Sequence, residues 1–391
     1  QDHIGSLPFL IKKFPYVKII TTPQTRAIAE LVLHNSVSIL KKEIDDESFE
    51  FYSHDEVDLL IKMIEYKEYR NQFELNSYHQ LKNSDVNITF YDAGHILGSA
   101  GILLENNNYK IFYTGDINLT DQTIQPKAKL PGEKIDTLIL ETTYGATDSD
   151  LLLNWQAESL RFAEESNKIL NNSGSILIPV FSLGKMQEML ASIWQLMQKR
   201  KLTTVDIYTG GIGTKINRVY DYNKYVVSRI DKEFELISIP QKDYYEISSP
   251  EDFFSNPCIV LASSGMMIKN TASFNFAKRF LKQKDSAIFI AGYMDPESPG
   301  YTIANSERGD KIHLTDFDEA AEVKCEIKNF KFSAHARRED LLRIVDKLKP
   351  DNVILTHGDD EAIDWVGSSI LKKYKSIKLQ IAEVGKELKI F

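Results

Sequence analysis

Cysteine is scarce in this chain of 391 residues, and long apolar runs are missing from it. Its two cysteines, Cys258 and Cys325, lie far apart and form no CxxC pair, so neither a disulfide framework nor a thiolate zinc site is indicated. This usage suits a reducing cytoplasm. No apolar run approaches the roughly 20 residues that a membrane-spanning helix needs, so the sequence predicts no membrane span.

An excess of positive charge is also missing. The net charge of −9 argues against a general nucleic-acid coat, because such proteins carry a basic field. An enzyme can be acidic overall and basic only along its cleft, and bound cations add charge that a residue count omits. The length suggests two domains. The first residue is Gln1 rather than Met, which we interpret as the loss of an N-terminal piece, and a targeting segment there stays open.

Short strands with a few helices are predicted for the first part of the chain. A helical pattern runs over 25–42, and Ser53 to Glu56 is typical of a capping box that opens a helix. A turn at Asn106-Asn107-Asn108 predicts a hairpin between two strands. The predicted strands are 86–91, 101–105, 110–113 and 137–140.

The pattern changes near Thr147, after which strands and helices alternate. This alternation predicts a parallel sheet covered by helices. The last stretch, from Phe332, returns to short β-rich runs around one helix over 338–348. Together these patterns predict a domain inserted into a second domain that is split in sequence.

Carboxylates and histidines follow several of the apolar runs, where a sheet would deliver them to one edge. They are His95, Asp116, Glu141, His335 and His357, and a further pair, Asp2 and His3, opens the chain. Singly, each fits an ordinary role such as a surface residue, a helix N-cap or a buried core histidine. As an ordered set they predict a metal site, because Zn²⁺ prefers nitrogen and oxygen ligands and two zinc ions suit phosphoryl transfer. The other histidines, His34, His54, His79 and His313, are interpreted as structural or solvated.

Two glycine-containing stretches raise the question of phosphate binding. Residues 209–215 fit neither the phosphate-loop spacing nor GxGxxG, so this stretch is interpreted as a loop before a helix. Ser264-Gly265, after a buried strand, is a stronger candidate because a glycine at a strand-to-helix junction exposes backbone N–H groups to a phosphate.

The ordered set resembles the β-CASP branch of the metallo-β-lactamase superfamily, nucleases related to the mRNA 3′-end cleavage endonuclease. Asp2-His3 resembles the end of the first zinc motif, and Glu141, His335 and His357 match the three motifs of the branch. The resemblance covers nearly the whole chain. Three departures are mild: Asp359 stands where Glu usually follows His-Gly, Lys185 replaces the more usual Arg, and residues 270–273 depart from Gly-Pro-Ser. A larger one is the absence of the His-x-His that precedes Asp2 in the family, which removes two ligands of one zinc.

The resemblance implies an α/β fold: a metallo-β-lactamase αββα sandwich, split in sequence and without its N-terminal strands, and an inserted β-CASP domain with a mostly parallel sheet. The expected boundaries are 1–147 and 331–391 for the sandwich and 148–330 for the insertion. It also implies two Zn²⁺ in the complete enzyme, with Asp2, His3, His95, Asp116 and His357 as metal ligands. Asp116 would bridge the metals, and His335, oriented by Glu141, would act as a general acid.

The implied activity is hydrolysis of single-stranded RNA in a cleft between the two domains, endonucleolytic, leaving 5′-phosphate and 3′-hydroxyl ends. The expected phosphate contacts are Lys185, Lys215, Arg218, Ser264, Gly265 and Lys269. A non-catalytic scaffold subunit, a DNA-directed relative and a 5′-exonucleolytic relative stay open as alternatives, as does a homodimer. A thioester or lactam hydrolase is disfavoured by the long insertion and by His335.

Overall fold

A computed structural model describes residues 4–43, 52–75, 85–247, 252–315 and 319–390 of the chain. The chain divides into two compact units. Unit 1 comprises Gln1–Asp121, Gln125–Leu152 and Ala334–Phe391, and unit 2 comprises Gln122–Ile124 and Leu153–Ser333. The domain identities expected for 1–147, 148–330 and 331–391 stay predictions.

Unit 1 begins with three helices and a short two-stranded sheet. These elements are α1 (Leu7–Lys13), β1 (Ile20–Thr21), α2 (Pro23–Glu43), α3 (His54–Met63) and β2 (Glu65–Tyr66). The predicted capping box opens α3: the Ser53 hydroxyl accepts from the N–H of Glu56 at 3.2 Å, and the Glu56 carboxylate accepts from the N–H of Ser53 at 2.7 Å. Buried apolar side chains that include Leu33 and Leu60 pack these elements together.

Five further strands of unit 1 follow along the chain. They are β3 (Phe73–Glu74), β4 (Asn87–Asp92), β5 (Ala100–Glu105), β6 (Lys110–Tyr113) and β7 (Thr137–Glu141). The hairpin predicted at Asn106 joins β5 to β6, which pair antiparallel. The Asn106 side-chain oxygen accepts from the N–H groups of Asn108 and Tyr109 at 2.9 and 2.8 Å, so the side chain itself closes the turn.

Unit 2 is built on a parallel sheet. Its elements are α4 (Trp155–Leu170), β8 (Ile176–Pro179), α5 (Lys185–Gln198), β9 (Asp206–Thr209), α6 (Ile212–Tyr222), β10 (Lys242–Asp243), α7 (Asp252–Ser255), β11 (Cys258–Ala262), α8 (Ala272–Phe280), β12 (Ala287–Ile290), α9 (Pro299–Ala304), β13 (Lys311–Ile312), β14 (Ala321–Glu322) and β15 (Glu326–Asn329). Six strands form the main sheet in the order β10-β9-β11-β8-β12-β15, and all neighbours are parallel. The predicted mostly parallel sheet is therefore confirmed.

The chain returns to unit 1 with α10 (Arg338–Leu348), β16 (Asn352–Thr356), α11 (Asp360–Lys373) and β17 (Lys378–Ile381). The expectation of one helix in this stretch is wrong, because α11 follows β16. The returning strands complete a seven-stranded sheet in the order β17-β16-β7-β6-β5-β4-β3. Apolar side chains of α10 and α11 share one buried core with the sheet, among them Leu341, Val366, Leu140 and Leu355.

Membrane insertion through a helix has no candidate in the part of the chain that the structure describes. No helix there combines the length and the apolar character that crossing a bilayer requires.

Candidate metal centre

Four strands of the unit 1 sheet end at the same edge, and each delivers one of the predicted site residues. Strands β6, β7 and β16 are parallel, and β4 runs in their direction because β4 and β6 are both antiparallel to β5. His95 lies beyond β4, Asp116 beyond β6 and His357 directly after β16, while Glu141 is the last residue of β7. The sheet therefore brings these side chains together from distant parts of the sequence.

The loop that carries His95 is fixed by a tight backbone turn. Gly94 has a φ of +69°, and a Cβ at this position would lie 2.4 Å from the Ala128 nitrogen, so the turn requires glycine. The Asp92 carboxylate accepts from the N–H of Gly94 at 2.9 Å and from the Gln125 side-chain amide at 3.2 Å. Burial raises the pKa of Asp92 to about 6, and the hydrogen bond from Gly94 opposes this shift.

His95 is held as a neutral imidazole that faces Asp116. Its Nδ1 lies 2.8 Å from the carbonyl oxygen of Ala334, which can only accept, so Nδ1 carries the proton and Nε2 the lone pair. Nε2 lies 3.9 Å from a carboxylate oxygen of Asp116. Burial, followed by the charge of His335, lowers the pKa of His95 to about 4. A neutral imidazole is the form that ligates a metal.

The buried Glu141 and the partly buried His335 form a hydrogen-bonded pair. The Glu141 carboxylate is 1% exposed, and its oxygens lie 3.1 and 3.2 Å from Nδ1 of His335. The N–H of Ile117 donates to the same carboxylate at 2.7 Å, and the Thr143 hydroxyl donates to it at 2.5 Å. These donors satisfy a charge that would be costly to bury alone. The His335 ring therefore hydrogen-bonds to Glu141, and the roles expected for the two residues stay predictions.

Three of these side chains are arranged as a metal site. Ligand atoms of His95, Asp116 and His335 all lie within 4.8 Å of one another. Nδ1 of His357 lies 3.5 Å from Asp116 on the same edge. Imidazole nitrogens and carboxylate oxygens form the donor set that zinc prefers, so these residues fit a zinc site. His335, which the sequence predicts to be an acid rather than a ligand, belongs to the same group of potential metal ligands. Its role stays a prediction.

The remaining predicted residues fall into two sets. Asp2 and His3, two of the expected metal ligands, lie outside the described residues. The six expected phosphate contacts belong to unit 2: Lys185, Lys215, Arg218, Ser264, Gly265 and Lys269.

Two of these unit 2 residues have defined surroundings. The Lys185 ammonium donates to the carbonyl oxygen of Phe332 and lies 5.1 Å from the Trp155 ring centre, and burial lowers its pKa to about 8. Arg218 lines a cavity of about 280 Å³ together with Thr209, Thr214 and Lys242. Their roles as phosphate contacts stay predictions.

Sequence reasoning missed two supporting groups, the Ala334 carbonyl and the Thr143 hydroxyl. A backbone carbonyl leaves no signal in residue type. Thr143 belongs to the motif that contains Glu141, and a hydroxyl two residues after a buried carboxylate at a strand end is a signal that could have drawn attention to it.

Comparison with known proteins shows that two parts of the sequence match known domain families. Residues 186–303 match the Beta-Casp domain, and residues 320–381 match the Zn-dependent metallo-hydrolase RNA specificity domain. These two matches make the chain similar to the β-CASP family of metallo-β-lactamase-fold nucleases, which are metal-dependent hydrolases.

Individual relatives match over most of the chain. Cleavage and polyadenylation specificity factor subunit 3 of Dictyostelium discoideum is 27% identical over 97% of this chain and 47% of its own length. The RNase J-like protein of Methanocaldococcus jannaschii is 28% identical over 92% of this chain and 79% of its own length. The Integrator complex subunit 11 homolog of Dictyostelium discoideum is 26% identical over 95% of this chain and 50% of its own length. The chain thus spans about half the length of the two Dictyostelium relatives.

Proposed function

We propose that this protein is a zinc-dependent ribonuclease that cleaves single-stranded RNA endonucleolytically and leaves 5′-phosphate and 3′-hydroxyl ends. The observation that carries the proposal is the hydrogen-bonded Glu141–His335 pair beside His95 and Asp116. An acid–base pair beside a cluster of metal-ligating side chains provides the catalytic groups that metal-dependent phosphodiester hydrolysis requires. A binding module or scaffold has no need to bury a carboxylate behind a histidine at such an edge.

The proposed metal ligands are Asp2, His3, His95, Asp116 and His357. When bound, zinc supplies a water of lowered pKa as nucleophile and neutralises charge on the phosphate oxygens. The lowered pKa of His95 supports this role, since the ring needs no deprotonation before it binds a metal at neutral pH.

His335 is proposed to protonate the leaving 3′ oxygen from Nε2. Its Nδ1–H donates to Glu141, so the proton for the leaving group must be carried on the other ring nitrogen. The buried carboxylate stabilises the imidazolium that carries both protons. Glu141 thus keeps the ring in the orientation and the charge state in which it can act as an acid, and departure of the 3′ oxygen leaves the phosphate on the 5′ side.

RNA is the proposed substrate because the domain at 320–381 is described as an RNA specificity domain. The names of the relatives point to the same class: one is a subunit of a cleavage and polyadenylation factor, and another is RNase J-like. Lys185, Lys215, Arg218, Ser264, Gly265 and Lys269 remain the proposed phosphate contacts. A cytoplasmic location is proposed as well, and the two buried, free cysteines are in keeping with it.

The test uses full-length protein loaded with zinc and one nucleotide sequence prepared as linear RNA, covalently circular RNA and linear DNA. We expect cleavage of both RNA forms, 5′-phosphorylated fragments that a ligase accepts, and loss of activity after chelation. Cleavage of linear RNA alone would point to the exonucleolytic alternative, and preferred cleavage of DNA to the DNA-directed one. A zinc-loaded protein that binds RNA and cleaves none of the three would overturn the proposal in favour of a scaffold.

A further inference from the structure

The Thr143 hydroxyl lies between Glu141, the last residue of β7, and His357, which directly follows β16. Its oxygen is 2.5 Å from Oε2 of Glu141 and 3.0 Å from Nδ1 of His357. A hydroxyl has one hydrogen to donate, and an ionised carboxylate can only accept. The short distance to Glu141 therefore assigns that hydrogen to the carboxylate, and the backbone oxygen of His357, at 3.4 Å, is the weaker alternative.

This assignment determines which nitrogen of His357 carries the proton. With its hydrogen directed at Glu141, the Thr143 oxygen presents only lone pairs to Nδ1 of His357, so Nδ1 must donate. A carboxylate oxygen of Asp116 lies 3.5 Å from the same nitrogen, which also favours the proton on Nδ1 of His357. The neutral ring then has its lone pair on Nε2, the nitrogen that remains for a metal.

The same tautomer recurs in the other two histidines of the edge. Nδ1 of His95 donates to the Ala334 carbonyl at 2.8 Å, and Nδ1 of His335 donates to Glu141 at 3.1 Å. In metal sites, a partner on the second ring nitrogen fixes the tautomer and the ring orientation of a ligating histidine. His335 receives this support from Glu141 directly, and His357 receives it through Thr143.

The sheet register places Thr143 where it can do this. Glu141 lies opposite Thr356 in the β7–β16 pairing, and the N–H of Thr142 donates to the His357 carbonyl at 3.0 Å. The N–H of Thr143 also donates to the Glu141 carboxylate, at 3.3 Å. His357 itself has a φ of +54°, an unusual backbone conformation for a residue other than glycine. The hydrogen bonds around Thr143 hold the ring on this strained turn.

We propose that Thr143 is a positioning residue that fixes the tautomer of His357 and links this metal ligand to the Glu141–His335 pair. The proposal rests on the proposed function, since it takes His357 as a zinc ligand. It predicts that removal of the hydroxyl weakens zinc binding, although the proposal gives Thr143 no direct contact with the metal.

Three variants test this role. Thr143→Val removes the hydroxyl at nearly constant shape, and Thr143→Ser keeps it. Thr142→Val is the matched control, because among the described residues the adjacent Thr142 hydroxyl donates to the Thr356 backbone oxygen, at 3.3 Å. The first readout is the tautomer of His357 in the metal-free protein, from long-range ¹H–¹⁵N NMR of the imidazoles. The second is zinc affinity, by competition with a chromophoric chelator.

We expect the Nδ1–H form of His357 in the wild type, Thr143→Ser and Thr142→Val, and a mixture of tautomers in Thr143→Val. Zinc affinity should fall about 10–100-fold in Thr143→Val, the range for loss of such a supporting contact, and recover in Thr143→Ser. Wild-type tautomer and affinity in Thr143→Val would overturn the proposal, as would an equal loss in folded Thr143→Ser. If the variants behave as expected but the wild type cleaves no RNA, the proposed function fails while the role of Thr143 stands.

Discussion

His335→Ala separates a general acid from a metal ligand. His335 donates to Glu141 at 3.1 Å, its ring centre is 4.5 Å from that of His95, and it lies within metal-ligand reach of Asp116. Geometry therefore allows either role. As an acid, the ring would stabilise the transition state by proton transfer alone, and its loss should cost about 10²–10⁴-fold in cleavage rate. This corresponds to about 3–5 kcal/mol of transition-state stabilisation.

The zinc content of the variant decides between the two roles. An acid can be removed without loss of metal, so His335→Ala should retain the wild-type zinc content and have a rate lower by at least about two orders of magnitude. His335→Ala also removes one hydrogen-bond donor from the buried Glu141 carboxylate, so the thermal unfolding of the variant should be measured together with its zinc content. Retained zinc with a folded protein shows that the lost rate comes from chemistry.

The assay measures single-turnover cleavage of a labelled RNA by full-length protein, with zinc determined by elemental analysis on the same sample. His313→Ala serves as the matched control, because this histidine is exposed and lies in unit 2. It should cleave RNA at the wild-type rate. Loss of zinc from His335→Ala, or cleavage at the wild-type rate, would refute the acid role and leave His335 as a ligand or a packing residue.

Three further changes test other parts of the site. His357→Ala should lower zinc content together with activity, in contrast to His335→Ala; elemental analysis that finds unchanged zinc would contradict the ligand role. Asp92→Asn should stabilise the fold above pH 6. The raised pKa of about 6 means that the folded state favours the protonated carboxyl of Asp92, so the wild-type protein loses stability as the pH rises and this carboxyl ionises. The gain in unfolding free energy should be roughly 3 kcal/mol at pH 8 and about half of that at pH 5, measured by urea denaturation; a gain independent of pH would show that charge is not its cause. Gly94→Ala should destabilise by at least about 1–2 kcal/mol through left-handed strain alone, whereas Gly132→Ala, which has open space around it, should change the urea midpoint little; equal midpoints would refute the steric argument.

The fold followed from the sequence where local signals were strong. The strand Lys110–Tyr113 and the helix Arg338–Leu348 match the predicted bounds. Helix α11 was missed because Gly367 and two serines interrupt its pattern, and glycine and serine are poor helix formers. The structure shows what glycine does here: a Cβ at this position would lie 3.0 Å from a side-chain methyl group of Leu379 on β17, a tight contact that glycine avoids. This packing contact between helix and sheet is invisible in one sequence.

The site divides in the same way between local and long-range information. A histidine or carboxylate directly after an apolar run predicts a side chain at a strand end, and His95, Asp116, Glu141 and His357 do meet at one edge. Which nitrogen of each ring faces a metal depends on acceptors from elsewhere in the chain: the Ala334 carbonyl for His95 and the Thr143 hydroxyl for His357. The contact between Thr143 and His357 exists because β16 pairs with β7 in one register, and a shift of one residue would separate Thr143 from His357 and turn the alternating side chains to the other face. Residue types can therefore predict which groups reach the edge, but the register of β7 against β16 determines which nitrogen of His357 carries the proton, and with it which nitrogen is available to a metal.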